Sequence, residues 1–172
     1  MHTPQYSFTI KFMHWLMAIT LISLLVVGYH MTTLVDGPYK VLIYDLHKAF
    51  GLLALILLLF RVMIRLRTQP ASQYNSRLQL RLSQLISLAL YLLMLAMPIS
   101  GILFAQSSGQ PITFFGLFDI PTLVTKNDTR ASIAHTSHEI IAYLFWLLII
   151  LHVMSALYTY DHSKFKNQQG ER

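Results

Sequence analysis

Residues 135–152 read HTSHEIIAYLFWLLIILH. From Ile140 to Leu151 the run carries no charge, and a histidine closes it at each end, His138 and His152. Extended to Tyr160, the stretch exceeds the roughly 20 residues that cross a bilayer's hydrocarbon. No water reaches that depth, so the backbone must bond to itself and the stretch reads as a helix. Fourteen residues separate His138 from His152. A helical rise puts them about 21 Å apart, and the turn leaves them about 40° short of four full turns. They share nearly one face, one near each membrane surface. His135 lies about 100° from His152 by the same count and fits that face poorly.

Three more stretches have the same character: Ile10 to Thr33, Val41 to Ile64 and Leu82 to Ala105. The sequence therefore predicts an all-α membrane protein, a bundle of four transmembrane helices at roughly 10–33, 41–64, 82–105 and 138–160, in a single integral membrane domain over residues 1–172. Composition agrees. Hydrophobic residues make up 55% of the 172 and charged residues 12%, about half the charge of an ordinary soluble domain. The first stretch reads as a retained helix rather than a signal peptide. It has only Lys11 before it, no small-residue cleavage site after it, and His14 and Trp15 within it.

Charge sets the orientation. Four crossings put both termini on one side, with Lys11, Arg61, Arg65, Arg67, Arg77, Arg81, Lys164, Lys166 and Arg172. The other side has only Lys40, Lys48, Lys126 and Arg130. The positive-inside rule then places both termini in the cytoplasm. It also accounts for the net charge of +6, so no nucleic-acid partner is expected. The connection at 106–137 is long for a bundle and falls on the outer side. Its FFGLFDIP run reads either as an interfacial anchor or as a flap over a ligand.

The histidines carry the chemistry. Eight occur, and cysteine is absent, which removes disulfides, thiolate metal sites and covalent c-type haem. Ionisable residues inside membrane helices are usually functional. By helix direction His14 and His152 lie at the inner level, and His47 and His138 at the outer level. Two cross-helix pairs result, His14/His152 and His47/His138. An imidazole from each side is what six-coordinate haem iron takes as axial ligands, and bundle interiors house such cofactors. Without cysteine these are two non-covalent b-type haems, with all four histidines as iron ligands. His30 competes with His47, but it is about 160° round the helix from His14, and His47 is preferred. His135 reads as a supporting group or a loop residue; His2 and His162 read as surface residues.

Smaller features fit around these pairs. Gly51 follows His47 by one turn, and a missing side chain lets a porphyrin approach the backbone. Gly28 and Gly101 lie in the first and third stretches. Small residues also serve plain helix packing in membranes. Arg61 lies deeper than Arg65 and can pair with a haem propionate, against the alternative of simple inside anchoring. Pro98 reads as a kink.

The stretches KFMHWLMAITL (11–21), LHKAFGLLAL (46–55), RVMIRLR (61–67), MPISGILFAQSSGQPITFFGLFDIP (97–121) and HTSHEIIAYLFWLLIILH (135–152) resemble the prokaryotic di-haem cytochrome b561 family. The resemblance covers nearly the whole chain, and His14, His47, His138 and His152 match the family's four ligand positions. Some members carry histidines in the third helix; this chain has none there. The resemblance implies a multi-pass protein of the bacterial inner membrane with two haem b groups. It implies electron exchange between an outer, periplasmic donor and the quinone pool. One activity of the family is oxidation of superoxide with ubiquinone as acceptor. Lys48, beside His47, is the expected anion-steering residue, against the alternative of a snorkelling interfacial lysine. Carboxylates on the same side, Asp36, Asp45, Asp119, Asp128 and Glu139, weaken a general steering field. The competing function is a non-catalytic electron-transfer subunit serving a separate dehydrogenase, and no protein partner is specified by the sequence. A histidine-rich metal transporter would need mid-membrane carboxylates, which the stretches lack.

Overall fold

The computed structural model describes residues 8–67 and 77–170, with side chains described to residue 158. Four helices dominate: α1 (Phe8–Thr32), α2 (Pro38–Arg67), α3 (Arg77–Ser107) and α4 (Asp128–Gly170). All four are long and apolar enough to cross a membrane. Between α3 and α4 lies a small antiparallel hairpin, β1 (Thr113–Phe114) and β2 (Phe118–Asp119), with Phe114 opposite Phe118. The turn between its strands uses Phe115 and Gly116 at positive φ, 50° and 75°. The bundle thus has a loop end, with the 33–37 turn and the hairpin, and a termini end, with the start of α1 and the close of α2.

The helices overrun their apolar stretches. Pro38 opens α2, where its missing N–H costs nothing and its fixed φ suits a first turn. The largest departure is α4, which begins at Asp128 and not near His138. Asn127 caps it: the Asn127 Oδ1 accepts from the Arg130 N–H at 2.8 Å. Asp128 then adds negative charge to the first turn, where the helix dipole favours it. Hydropathy marks where a helix enters lipid, not where it starts. The connection expected at 106–137 therefore shrinks to 108–127, and His135 stands inside α4.

Packing runs α1 on α2, α2 on α3 and α3 on α4. The residues buried within are largely small, Ala49, Ala54 and Ala105, with Met17, Leu25, Leu58 and Phe145. Bulky apolar side chains such as Phe12, Trp15, Ile19, Leu147 and Ile150 face outward. That distribution suits lipid as the surrounding solvent, because lipid tails impose no penalty on them.

The 108–127 connection is fastened to the bundle. Gln106 is 5% exposed and acts as an extra stretch of backbone. Its Nε2 donates to the Pro121 carbonyl and its Oε1 accepts from the Leu123 N–H, both at 2.9 Å. The fully buried Ser107 accepts from Arg130 Nε at 2.8 Å, and Arg130 also donates to the Thr125 carbonyl. Phe115 packs edge-on against Phe50 of α2 at 4.9 Å between centroids.

Candidate functional site

Two pairs of imidazoles stand at two levels of the bundle. At the loop end His47 of α2 faces His138 of α4, with ring centroids 6.4 Å apart and planes at 79°. At the termini end His14 of α1 faces His152 of α4, at 6.2 Å and 52°. A metal between two imidazoles needs two metal–nitrogen bonds of about 2 Å and about 1 Å of ring on each side, so about 6 Å between centroids. Both pairs fall at that spacing. Among the described residues no three histidine, cysteine, aspartate or glutamate side chains cluster around a metal position. Two neutral donors per level are too few for a closed structural zinc site. They suit a metal that brings its own equatorial ligands, as haem iron does.

The loop-end pair is built to hold its rings. The Ser100 hydroxyl donates to the Met97 carbonyl at 2.8 Å. His138 Nδ1 lies 3.1 Å from that carbonyl and 3.0 Å from Ser100 Oγ. Both neighbours can only accept there, so Nδ1 carries the proton and Nε2 keeps its lone pair. This is how a protein orients a metal-binding histidine. Glycines give the rings room. A Cβ at Gly28 would come within 3.2 Å of His47 Cε1, and one at Gly101 within 3.1 Å of His138 Cε1. His47 Nδ1 is buried without a hydrogen-bond partner among the described residues, an uncommon state for a buried nitrogen. An open-sided apolar void adjoins both rings, lined by Leu21, Leu25, Gly51, Ala54, Pro98 and Phe145 among others. Nothing lies within 4 Å of a Cβ built at Gly51. Gly51 thus borders open space, while Gly28 and Gly101 are the glycines pressed against imidazoles. Donor chemistry, ring spacing and an apolar void beside both rings fit a haem at this level.

The termini-end pair has a different surround. Arg61 Nη2 donates to His14 Nδ1 at 3.0 Å, and Arg61 Nε donates to Tyr91 Oη at 3.2 Å. The Arg61 and Arg65 guanidinium carbons each lie 5.9 Å from the Tyr91 ring centroid. Arg61 thus lies against the ring of His14, at the inner level where the sequence predicts it near a haem propionate.

The other expected residues separate clearly. The Lys48 ammonium forms an ion pair with Asp45 at 2.8 Å and donates to the Pro111 carbonyl at 3.0 Å. Its charge is neutralised and its side chain is only 16% exposed, so it fastens the loop and does not stand free to attract anions. Lys40 is likewise paired with Asp36 at 2.9 Å, and that hydrogen bond holds the Asp36 carboxyl below its ordinary value. His30 is exposed at the end of α1, apart from both pairs. The His135 ring lies tilted against Phe104 at 4.7 Å between centroids and stands 3.8 Å from Glu139. His2 lies outside the described residues, as does the side chain of His162. Sequence reasoning missed Met97, Ser100 and Tyr91. The first two lie in MPISG, whose proline was read only as a kink; Tyr91 carries no pattern of its own.

A model of the prokaryotic cytochrome b561 family matches residues 5–162. The chain belongs to the prokaryotic cytochrome b561 family. It is 34% identical over 169 residues to cytochrome b561 homolog 2 of Escherichia coli (strain K12), covering 94% of this chain and 86% of that protein. It is 26% identical over 160 residues to cytochrome b561 homolog 1 of the same organism, covering 90% and 89%. It is 27% identical over 146 residues to the probable superoxide oxidase CybB of Yersinia pestis, covering 84% and 82%. As a cytochrome b561 with four spanning helices, it is a multi-pass electron-transfer protein of the bacterial inner membrane. The family implies b-type haem and oxidoreductase chemistry.

Proposed function

We propose that the chain holds two haem b groups, one between His14 and His152 and one between His47 and His138. With them it passes electrons from a periplasmic donor, superoxide, to ubiquinone. The carrying observation is the two imidazole pairs at two levels, each at the spacing of a metal bridged by two rings. Haem bound there supplies one-electron transfer through the membrane. The distribution of this chain's own lysines and arginines supports a loop end in the periplasm and termini in the cytoplasm. Two superoxide anions each give up one electron and leave as oxygen; one quinone takes both electrons with two protons and becomes quinol. The whole chain, residues 1–172, acts as one domain in this reading, and the membrane lipid is its solvent.

The chain's own side chains divide the work. His138 presents Nε2 because Met97 and Ser100 occupy Nδ1. Gly28 and Gly101 let the rings stand upright, and Gly51 leaves space beside His47 for the porphyrin edge. Arg61 serves the cytoplasmic-side group. Anion attraction passes from Lys48 to Lys126 and Arg130. Among the described residues no carboxylate is ion-paired with either, whereas Lys40 and Lys48 are neutralised. The similarity to a probable superoxide oxidase supports this donor.

The test is a haem count and reduced-minus-oxidised spectrum on detergent-purified protein, followed by stopped-flow mixing with superoxide, with and without ubiquinone. Two b-type haems reduced by superoxide and reoxidised by quinone are expected. Two haems that ignore superoxide and take electrons from quinol would make the chain a carrier subunit for a separate dehydrogenase. No haem would remove the ligand assignment.

A further inference from the structure

The two levels differ in what faces the ligand Nδ1. At the loop end His138 Nδ1 meets a carbonyl and a hydroxyl, both neutral acceptors. At the termini end His14 Nδ1 meets a guanidinium. Arginine stays charged under all ordinary conditions. Among the described residues no carboxylate is ion-paired with Arg61. Tyr91 reaches from α3 to take the Arg61 Nε hydrogen bond and lays its ring beneath both Arg61 and Arg65.

We infer that Arg61, held in place by Tyr91, makes the termini-end haem the more oxidising of the two, so that electrons entering at the loop end are drawn towards the termini end. The inference rests on the two-haem reading above. Oxidised iron carries one more positive charge than reduced iron, and a fixed cation beside its ligand disfavours the oxidised form. In the apolar interior that field is poorly screened. At the loop end the effect runs the other way. A carbonyl accepting the ligand N–H raises the basicity of the imidazole, which favours oxidised iron. Nδ1 of His14 must carry its proton when Nε2 binds a metal, so with haem bound the guanidinium would have to give up its hydrogen bond to that nitrogen. Its hydrogen bond to the Tyr91 hydroxyl and its place over the Tyr91 ring do not involve that nitrogen, and would keep its charge beside the ring. Arg61 and Tyr91 are therefore positioning residues, acting through His14.

Spectroelectrochemical titration of the purified, haem-loaded full chain, with haem counted in each variant, tests this. Wild type should titrate in two one-electron steps, and His152→Ala should remove the higher one. Arg61→Gln should keep two haems and lower the higher step by at least tenfold in its reduction equilibrium, 59 mV for one electron, leaving the lower step in place. Arg61→Lys, which retains the charge, should recover most of that shift. Tyr91→Phe, which keeps the ring and loses only the hydroxyl, should shift the same step in the same direction by less. Two haems with unmoved potentials in Arg61→Gln would overturn the inference, as would movement of the lower step alone. Loss of one haem in both Arg61 variants would also overturn it, by making Arg61 a holding group. Fewer than two haems in the wild type would instead overturn the reading beneath it.

Discussion

Gly101→Ala adds one carbon at the tightest point of the loop-end site. The new Cβ would lie 3.1 Å from His138 Cε1 and 3.4 Å from Nδ1. Carbon contacts settle at about 3.5–4.0 Å, so the ring must retreat by about half an ångström. It has little freedom to do so, because Nδ1 is held at 3.1 Å by Met97 and 3.0 Å by Ser100. A shift of that size brings both bonds to about 3.5 Å, the edge of useful geometry. Overpacking of this kind costs about 1–3 kcal/mol. Alanine returns up to about 1 kcal/mol of helix propensity, so the helix itself should survive. The loss falls on ligand placement, where disturbed supporting contacts weaken metal binding about 10–100-fold. Haem titrated into the detergent-solubilised apo-variant should therefore fill the termini-end site normally and the loop-end site 10–100-fold more weakly. Gly37→Ala, in the 33–37 turn away from both imidazole pairs, is the control: its Cβ also meets nothing within 4 Å, and it should bind haem as the wild type does. Two haems bound with wild-type affinity in Gly101→Ala would refute the reasoning, since His138 would then not be the constrained ligand.

Three further outcomes are expected. His152→Ala should lose the termini-end haem and keep the loop-end haem reducible by superoxide; a count of two haems would break the pairing. Lys126→Glu should slow the bimolecular reaction with superoxide and flatten its dependence on ionic strength, whereas Lys48→Gln combined with Asp45→Asn, which removes the ion pair without changing net charge, should change neither by more than about twofold, because electrostatic steering acts through uncompensated charge. Gln106→Ala removes two part-buried hydrogen bonds to the loop, a loss of about 1–3 kcal/mol. Limited proteolysis should then cut within residues 108–127 faster than in wild type, with the helices intact.

The helices were legible because each physical signal was long and redundant. Twenty apolar residues admit few alternatives in a membrane protein, and the fourteen-residue spacing of His138 and His152 survives any small error in where α4 begins. The start of α4 was not legible by the same signal. Residues 128–137, DTRASIAHTS, are polar enough to read as loop, yet the Asn127 cap and the following acidic residue were a helix-start signature in plain view. The pairing of levels followed from helix direction alone. The supporting contacts did not, since Tyr91 and Ser100 meet their partners 30 and 38 residues away, and no local pattern encodes a contact of that kind. Glycine roles needed coordinates for the same reason. Gly51 was chosen for its sequence distance from His47, but the glycines that touch imidazoles, Gly28 and Gly101, sit on neighbouring helices.

Charge shows the opposite case, in which the local pattern was sufficient to find the ion pairs. Four cations and five carboxylates face the loop end, which suggests a surface with no preference for anions. Asp36 and Lys40 are four residues apart and Asp45 and Lys48 three apart, the two spacings that bring helical side chains into contact. Both pairs close in the structure. Setting those pairs aside leaves Lys126 and Arg130 with Asp119, Asp128 and Glu139, and the two cations flank Asp128 where Asn127 and Ser107 tie the loop to the start of α4. Arg130 is committed by its hydrogen bonds to Ser107 and Thr125, so its position is fixed while its charge is not cancelled. The alkyl chain of Lys126 lies against Gly109, which takes a positive φ of 76° beneath it. A small anion approaching the loop end thus meets two placed cations that no carboxylate pairs with among the described residues, set beside the carboxylates that remain, and the local arrangement of these groups decides where it arrives.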